Sequence, residues 1–475
     1  MLNDLSFLEI GQQFPPMSEY NRLEMYKKNR SLFECEHADV YFEAFKRIER
    51  VIGNFQDVVS YPVIINYQKL ISLKIADLLL GEAPRIVAGE SGSEEQKSVD
   101  TIIKKTDLFN TAYESALDVS RYGDGLFYVY NDGSGGQIDV TQPSIWFPVV
   151  DLDNIKRIKF HVLAWVTEYN DSYTLSVEIH EKGRYEKRKY ILEKTSGKYY
   201  IKSLVESMFV NTGLNDFAII QIPNIITSDR IHGMDDYTDI DSIISELLVR
   251  IGQISIILDK HANPSVSGPA SVLEKDPITG EYQLKMGNFF ARENKDSPEI
   301  SYITWDGQLE ANFKMIEQLI NFLHAISEMG GKFLGDDSKD GAALSGTALR
   351  FKMISPLAKA KRITNRYKTA LEKAITLCSR LGGKGIKDLS DTPISITFMD
   401  GLPNDPREEA EIMQIRTGTK PTMSVKRALK MYDHMSEEDA EFELAEIEAE
   451  DAKSNPYLSM NTPFNGNNNP NGTGA

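Results

Sequence analysis

Two long apolar stripes, separated by a short Gly- and Pro-bearing interval, constrain this chain more than any other feature. Ile240, Ile243, Ile244, Leu247, Leu248, Ile251, Ile254 and Leu258 recur at three- and four-residue steps, the spacing that places apolar side chains on one face of an α-helix. A second stripe, Phe313, Ile316, Leu319, Ile320, Leu323 and Ile326, predicts another helix over 309–330. The first helix, running from about 236 to the Asn263-Pro264 stop, would be a rod of roughly 39 Å. Between the rods, residues 264–308 hold short β-like runs, SVL, YQLKM and ISYITW. Two rods with a small tip do not make a compact globule, so each stripe needs a partner. The candidate packing residues are Ile244, Leu247, Leu248 and Ile251 on the first rod and Ile316, Leu319, Ile320 and Leu323 on the second.

The rest of the chain alternates in character, and its 475 residues suggest two to four domains, at roughly 100–200 residues each. Residues 1–52 read as mostly helical, 64–80 as a helix that Gly81 ends, and 97–121 as a further helix. From 125 to 222, Val, Ile, Tyr, Phe, Thr and Trp come in short runs, with Asp132-Gly133 and Gly183 as hairpin signals. Residues 335–346, GDDSKDGAALSG, form a polar Gly-rich loop. A basic helix over 347–381 follows, with Pro356 inside it and a kink expected there. Residues 393–399 read as a strand. Three short helices are expected from Pro406, after Ser424 and from Ser436, and 453–475 has the composition of a disordered tail. The fold class this predicts is α+β, in several domains.

Composition narrows function mainly by exclusion. The formal net charge is −17, from 53 basic and 70 acidic residues. Tight nucleic-acid binding needs basic groups that displace counterions from phosphates, so a repressor is excluded, although a protein that DNA must pass without sticking is not. The charge is uneven: 346–384 carries ten Lys/Arg and one acid, Glu372, whereas 437–451 carries nine Asp/Glu and no Lys or Arg. Cys35 and Cys378 are too few for a disulfide framework and suit a reducing compartment. No signal peptide and no apolar run of about 20 residues is read, so no membrane partner is expected.

Chemistry-bearing motifs are absent or fail on inspection. There is no GxxxxGK[ST] and no HExxH; Gly123 and Gly125 lack the third glycine of a dinucleotide fingerprint. His161 and His180 lie in strand-like runs and read as packed residues. Asp336, Ser338, Asp340 and Gly341 open like a calcium loop, but Thr347 stands where the loop requires Glu. Asp235, Asp236, Asp239 and Asp241 crowd a helix start, where capping explains them. The expectation is no enzyme, with no catalytic, cofactor-binding or metal-ligating residue and no cofactor. The classes weighed were a structural channel, a nuclease or ATPase subunit, and a non-channel adaptor or scaffold.

The order of the parts then carries a resemblance. SGTALRFKMISPLAKAKR (345–362), YGDGLFYVYNDG with QPSIWFPVVD (122–151), the helix–small domain–helix of 236–330, and ITFMDGLPNDPREEAE (396–411) together resemble the portal proteins of tailed double-stranded DNA phages. The similarity is to the branch found in phages and prophages of Gram-positive bacteria. It implies a portal-type multidomain subunit: β-rich wing at 1–231 and 347–400, stem helices at 232–262 and 309–331, clip at 263–308, tunnel loop at 332–346 and helical crown at 401–452. It also implies a homo-oligomeric ring, usually of twelve, at one capsid vertex of the virion, assembled in the host cytoplasm. Its partners would be the major capsid protein, the terminase large subunit, a head–tail adaptor, and double-stranded DNA in transit without sequence specificity. Lys332, Gly335, Asp336, Asp337, Ser338, Lys339, Asp340 and Gly341 would line the channel. This loop departs from a simple cationic DNA contact, since Lys332 and Lys339 are outnumbered by three aspartates.

Overall fold

The structure, a computed structural model, describes residues 1–52, 63–90, 92–262, 309–331, 334, 351–399, 406–418, 420–432, 435 and 437–454, with residue 277 and four short strands between 266 and 302. The chain forms two compact units, residues 1–343 with 351–401, and residues 344–350 with 402–475.

In the first unit, residues 1–14 are not the helix read from the sequence. Leu2 bridges Val149 in parallel, and the Val150 N–H donates to the Leu2 carbonyl at 3.0 Å. Gln13–Phe14 (β1) pairs antiparallel with Tyr199 and Tyr200. Helices follow at Tyr20–Phe33 (α1), His37–Val40 (α2), Phe42–Ile52 (α3) and Tyr67–Leu80 (α4). The Asn66 side chain caps α4 by accepting the Lys69 N–H. After the strand Arg85–Ala88 (β2), the single helix expected over 97–121 is two, Glu94–Lys105 (α5) and Leu108–Tyr122 (α6). The break has a local cause. Thr106 bonds back to the Ile102 carbonyl at 2.9 Å and Asp107 turns left-handed at φ 47°, a use of short polar side chains that competes with helix.

The β-rich block forms two sheets. Asp124–Asn131 (β3) and Gly136–Val140 (β4) make the hairpin signalled by Asp132-Gly133. Trp146–Val150 (β5), Ile158–Tyr169 (β6), Ser172–Glu181 (β7), Arg184–Thr195 (β8) and Lys198–Asn211 (β9) form an antiparallel meander, with Gly183 in the β7–β8 turn at φ 83°. The larger sheet runs β1-β9-β8-β7-β6-β5; Ile219–Pro223 (β10) joins β3 and β4 in the smaller one. Leu2, Phe7, Leu8 and Phe14 pack on Val162, Leu175, Val177, Tyr190 and Ile201. The N-terminal residues are therefore a strap across one face of the large sheet, from its β5 edge to its β9 edge.

Helices Asp241–Ala262 (α7) and Leu309–Ile326 (α8) flank four short strands, Val266–Ser267 (β11), Leu273–Lys275 (β12), Tyr282–Leu284 (β13) and Ser301–Tyr302 (β14), paired β11 with β14 and β12 with β13. The stem helix drawn from 232 starts only at Asp241, because residues 232–240 are turns held by side-chain bonds described below. A helix Ile354–Arg380 (α9) then runs through the main core, where Ile363, Tyr367, Leu371, Ala374 and Ile375 meet residues of α4 and α6. The chain is helical at Phe351 and Lys352, turns at Met353 and resumes as α9 at Ile354, so the interruption expected from Pro356 falls in the turn before it, where the ring excludes the hydrogen bond to the residue four back. Ile394–Thr397 (β15) pairs with β2.

The second unit holds Pro406–Thr417 (α10), Val425–Tyr432 (α11) and Glu437–Ser454 (α12). Ala428, Leu429 and Ala440 are its buried apolar residues among those described, and Lys426 pairs with Glu441 at 2.6 Å. Residues 455–475, most of the expected tail, lie outside the described residues.

Candidate functional site at the root of the helix pair

The stripes of α7 and α8 are divided between two environments. Ile244, Leu247 and Leu248 are buried by their own chain, Ile244 and Leu248 in the main core with Tyr237 and Ile240. Leu319 and Leu323 are buried too, while Ile251, Ile316 and Ile320 are half-buried. Ile254, farther along α7, is buried as well, so part of each stripe finds its partner within the same chain. Helix α3 covers another side of α7: Val249 and Ile256 pack on Ala44 and Phe45, and Arg47 meets Glu246 at 2.8 Å. Burial alone would raise the Glu246 carboxyl, but Arg47 and Arg250 outweigh it and hold it below its ordinary value. Several large apolar side chains remain in water among the polar ones: Leu258, Phe313, Met315, Phe322 and Ile326 are exposed.

The root is built on backbone contact. A Cβ on Gly233 would lie 1.9 Å from the Gly123 carbonyl oxygen, and one on Gly123, which is left-handed at φ 85°, would lie 2.4 Å from that of Gly233. Only glycine allows this approach. Asp124, fully buried, fixes the contact by accepting from the Gly233 N–H at 3.0 Å and Gln221 Nε2 at 2.8 Å, with His232 Nδ1 at 3.1 Å. Glu19 lies 3.9 Å from the other side of that imidazole and pairs with Arg22 at 2.7 Å. Next along the chain, Asp235 Oδ1 accepts the N–H groups of Tyr237 and Thr238 at 2.9 and 2.8 Å, closing the turn ahead of α7 rather than capping the helix. Of the four aspartates, Asp241 stands in the first turn of α7, where its charge was expected. Asp236 pairs with buried Lys359 at 2.8 Å, and Asp241 takes Lys28 and the Tyr41 hydroxyl, the latter at 2.7 Å.

Behind the root, two histidines of the larger sheet are packed, and His180 meets Tyr128 of the smaller sheet edge-on, with ring centroids 5.3 Å apart. His161 Nδ1 lies 3.1 Å from Trp146 Nε1, and burial, then the charges of His180 and Lys373, push its pKa down to about 3. His180 is fully buried beside Glu178 at 3.3 Å. Both histidines are packed, as their strand setting predicted, and among the described residues no group of three or more His, Cys, Asp or Glu could hold a metal ion. No described helix is long and apolar enough to cross a membrane.

The tunnel-loop residues Lys332, Gly335, Asp336, Asp337, Ser338, Lys339, Asp340 and Gly341 lie outside the described residues. Lys359, Asp124 and Gly233 escaped the sequence reading, as did the pairing of Asp236 with Lys359. Their signals were present in YGDG and HGMDD, but a buried lysine–aspartate pair 123 residues apart leaves no local period.

A family model described as "Phage portal protein, SPP1 Gp6-like" matches residues 208–457, which include the root from β10 onward, the helix pair, α9 and the second unit. Among solved structures, "Neck of native GTA particle computed with C12 symmetry" is 10% identical, covers 77% of this chain and 89% of that one, and has a TM-score of 0.44. "Neck of empty GTA particle computed with C6 symmetry" is also 10% identical, with 78% and 90% covered and a TM-score of 0.46. No curated protein matches. The family match spans more than half of the sequence, and the chain belongs to the SPP1 Gp6-like phage portal proteins.

Proposed function

We propose that this chain is the repeating subunit of a portal ring, of twelve copies, that forms a channel for DNA packaging and ejection at one capsid vertex. Residues 1–231 and 347–400 serve as wing, 232–262 and 309–331 as stem, 263–308 as clip, 332–346 as tunnel loop and 401–452 as crown. The terminase large subunit and, later, a head–tail adaptor dock on the clip, and the major capsid protein surrounds the ring. The chain performs no chemistry of its own and needs no cofactor. DNA passes without sequence recognition, consistent with a net charge of −17, which keeps contacts with phosphate weak.

One observation carries this reading beyond family membership. On α8, Met315, Phe322 and Ile326 are exposed and flank buried Leu319 at four- and three-residue steps. That is the seam pattern of helices that pack on helices, and the subunit alone leaves it in water. Copies of the subunit side by side would cover it. Negative-stain images and native mass of the purified protein test the proposal, with a ring and central hole as the expected result. A monomer at tens of micromolar would sink it and favour an adaptor or scaffold.

A further inference from the structure

Helix α9 meets the helix pair at its root, just ahead of α7 and just beyond α8. Lys359 is buried, with Nζ 2.8 Å from Asp236 Oδ1 ahead of α7 and donating at 3.0 Å to the Ser327 carbonyl just beyond α8. Three residues on, Arg362 pairs with Glu328, whose backbone is left-handed at φ 60°. The same Asp236 Oδ1 accepts from Asn224 Nδ2 at 3.1 Å, and the Asp236 N–H donates to the Ser120 carbonyl at 2.9 Å. The ammonium suits the end of α8, where carbonyls lack intrahelical partners. As a source of stability, however, the arrangement is poor. A buried ion pair barely offsets its own desolvation, and Asp236 Oδ2 has no hydrogen-bond partner among the described residues. What such a pair can supply is a fixed register.

We propose that Lys359 is a positioning residue: with Arg362 it fixes the entry to α7 and the exit from α8, at the root of the helix pair, to α9, so that the pair and α9 carry load as one body. The functional arm of this proposal rests on the ring-channel reading, whereas the clamp itself does not. The test uses full-length K359M/D236N, which replaces the ion pair with neutral side chains of similar size. The expected result is a thermal midpoint near that of the parent and unchanged hydrogen exchange in α6. Exchange at 323–329 should be faster by about tenfold, and DNA retention in assembled particles should fall by a similar factor. R362E should loosen the same residues, and the swap E328R/R362E should restore their protection. Unchanged exchange at 323–329 overturns the proposal, and so does an equal loss in α6, which would make the role merely structural. Intact exchange effects with full DNA retention overturn the functional arm. If K359M/D236N does not fold, the swap decides, and its failure to restore protection overturns the clamp. A parent protein that forms no ring defeats the channel reading alone, because the exchange measurements still decide the clamp.

Discussion

Gly233 and Gly123 show how much a single missing Cβ can carry. Gly233→Ala must push apart two backbones already in contact, and we expect a loss of at least about 3 kcal/mol or no soluble protein. Gly133→Ala, at a left-handed hairpin position with open space around it, should cost only about 1 kcal/mol. Urea melts of the two variants make the comparison. Two buried titratable groups act in opposite directions with pH. The fold keeps His161 neutral, with its pKa lowered from 6.5 to about 3. Its contribution is therefore full above 6.5 and lost as pH falls towards 3. Asp118 is the reverse: burial, partly countered by Arg121, raises it from 3.8 to about 6. Its contribution is full below 3.8 and lost as pH rises through 6. Asp118→Asn should therefore gain stability relative to the parent above pH 6, by up to about 3 kcal/mol less the lost Arg121 interaction, and the gap should close by pH 4. A constant difference across that range in melts at several pH values would refute the assignment.

At the scale of elements, the boundaries that the sequence made legible were those with a local cause. The Asp132-Gly133 turn, the Gly183 turn and the helix starts at Pro406 and near Ser424 and Ser436 all lie where short-range chemistry puts them. The misses share a different character. The strap over 1–14 owes its form to strands more than a hundred residues away, and the late start of α7 owes its form to Asp124 and Lys359. No window of sequence contains both halves of those contacts. The division of the α8 stripe yields a prediction at this scale. Leu323→Asp places a charge in the subunit's own core and should unfold it, at a cost of several kcal/mol. Phe322, 48% exposed, sits one residue away. Phe322→Ser with Ile326→Ser should leave the subunit melt within about 1 kcal/mol and shift size-exclusion profiles from ring towards monomer. Rings formed as readily as by the parent would show that this seam is not an interface.

For the whole molecule, the family was readable because its motifs keep an order along the chain, and order survives where each motif alone is weak. The candidate site was only half readable: the apolar stripes of α7 and α8 stand out by their spacing, but the glycine contact and the Lys359 clamp leave no such pattern. The charge of the assembly gives a further expectation. Part of the basic face of α9 is neutralised within its own unit, where Lys359, Arg362 and Lys373 pair with Asp236, Glu328 and Asp216, while Lys361, Lys368 and Arg380 are exposed in a chain whose net charge is −17. Purified rings should bind duplex DNA weakly, with no sequence preference, in filter-binding titrations at physiological salt. Nanomolar affinity there would contradict the passive channel.

The strap has a consequence in time rather than in space. Residues 1–14 leave the ribosome long before β9 exists, yet their places are defined by β5 at one end and β9 at the other. At roughly 5–20 residues per second, on the order of ten seconds or more separates their synthesis from the completion of their seat. Residues made early are therefore among the last to be placed. During that interval the apolar face of a growing meander has no cover of its own, and nascent chains crowded on one messenger meet at their most adhesive moment.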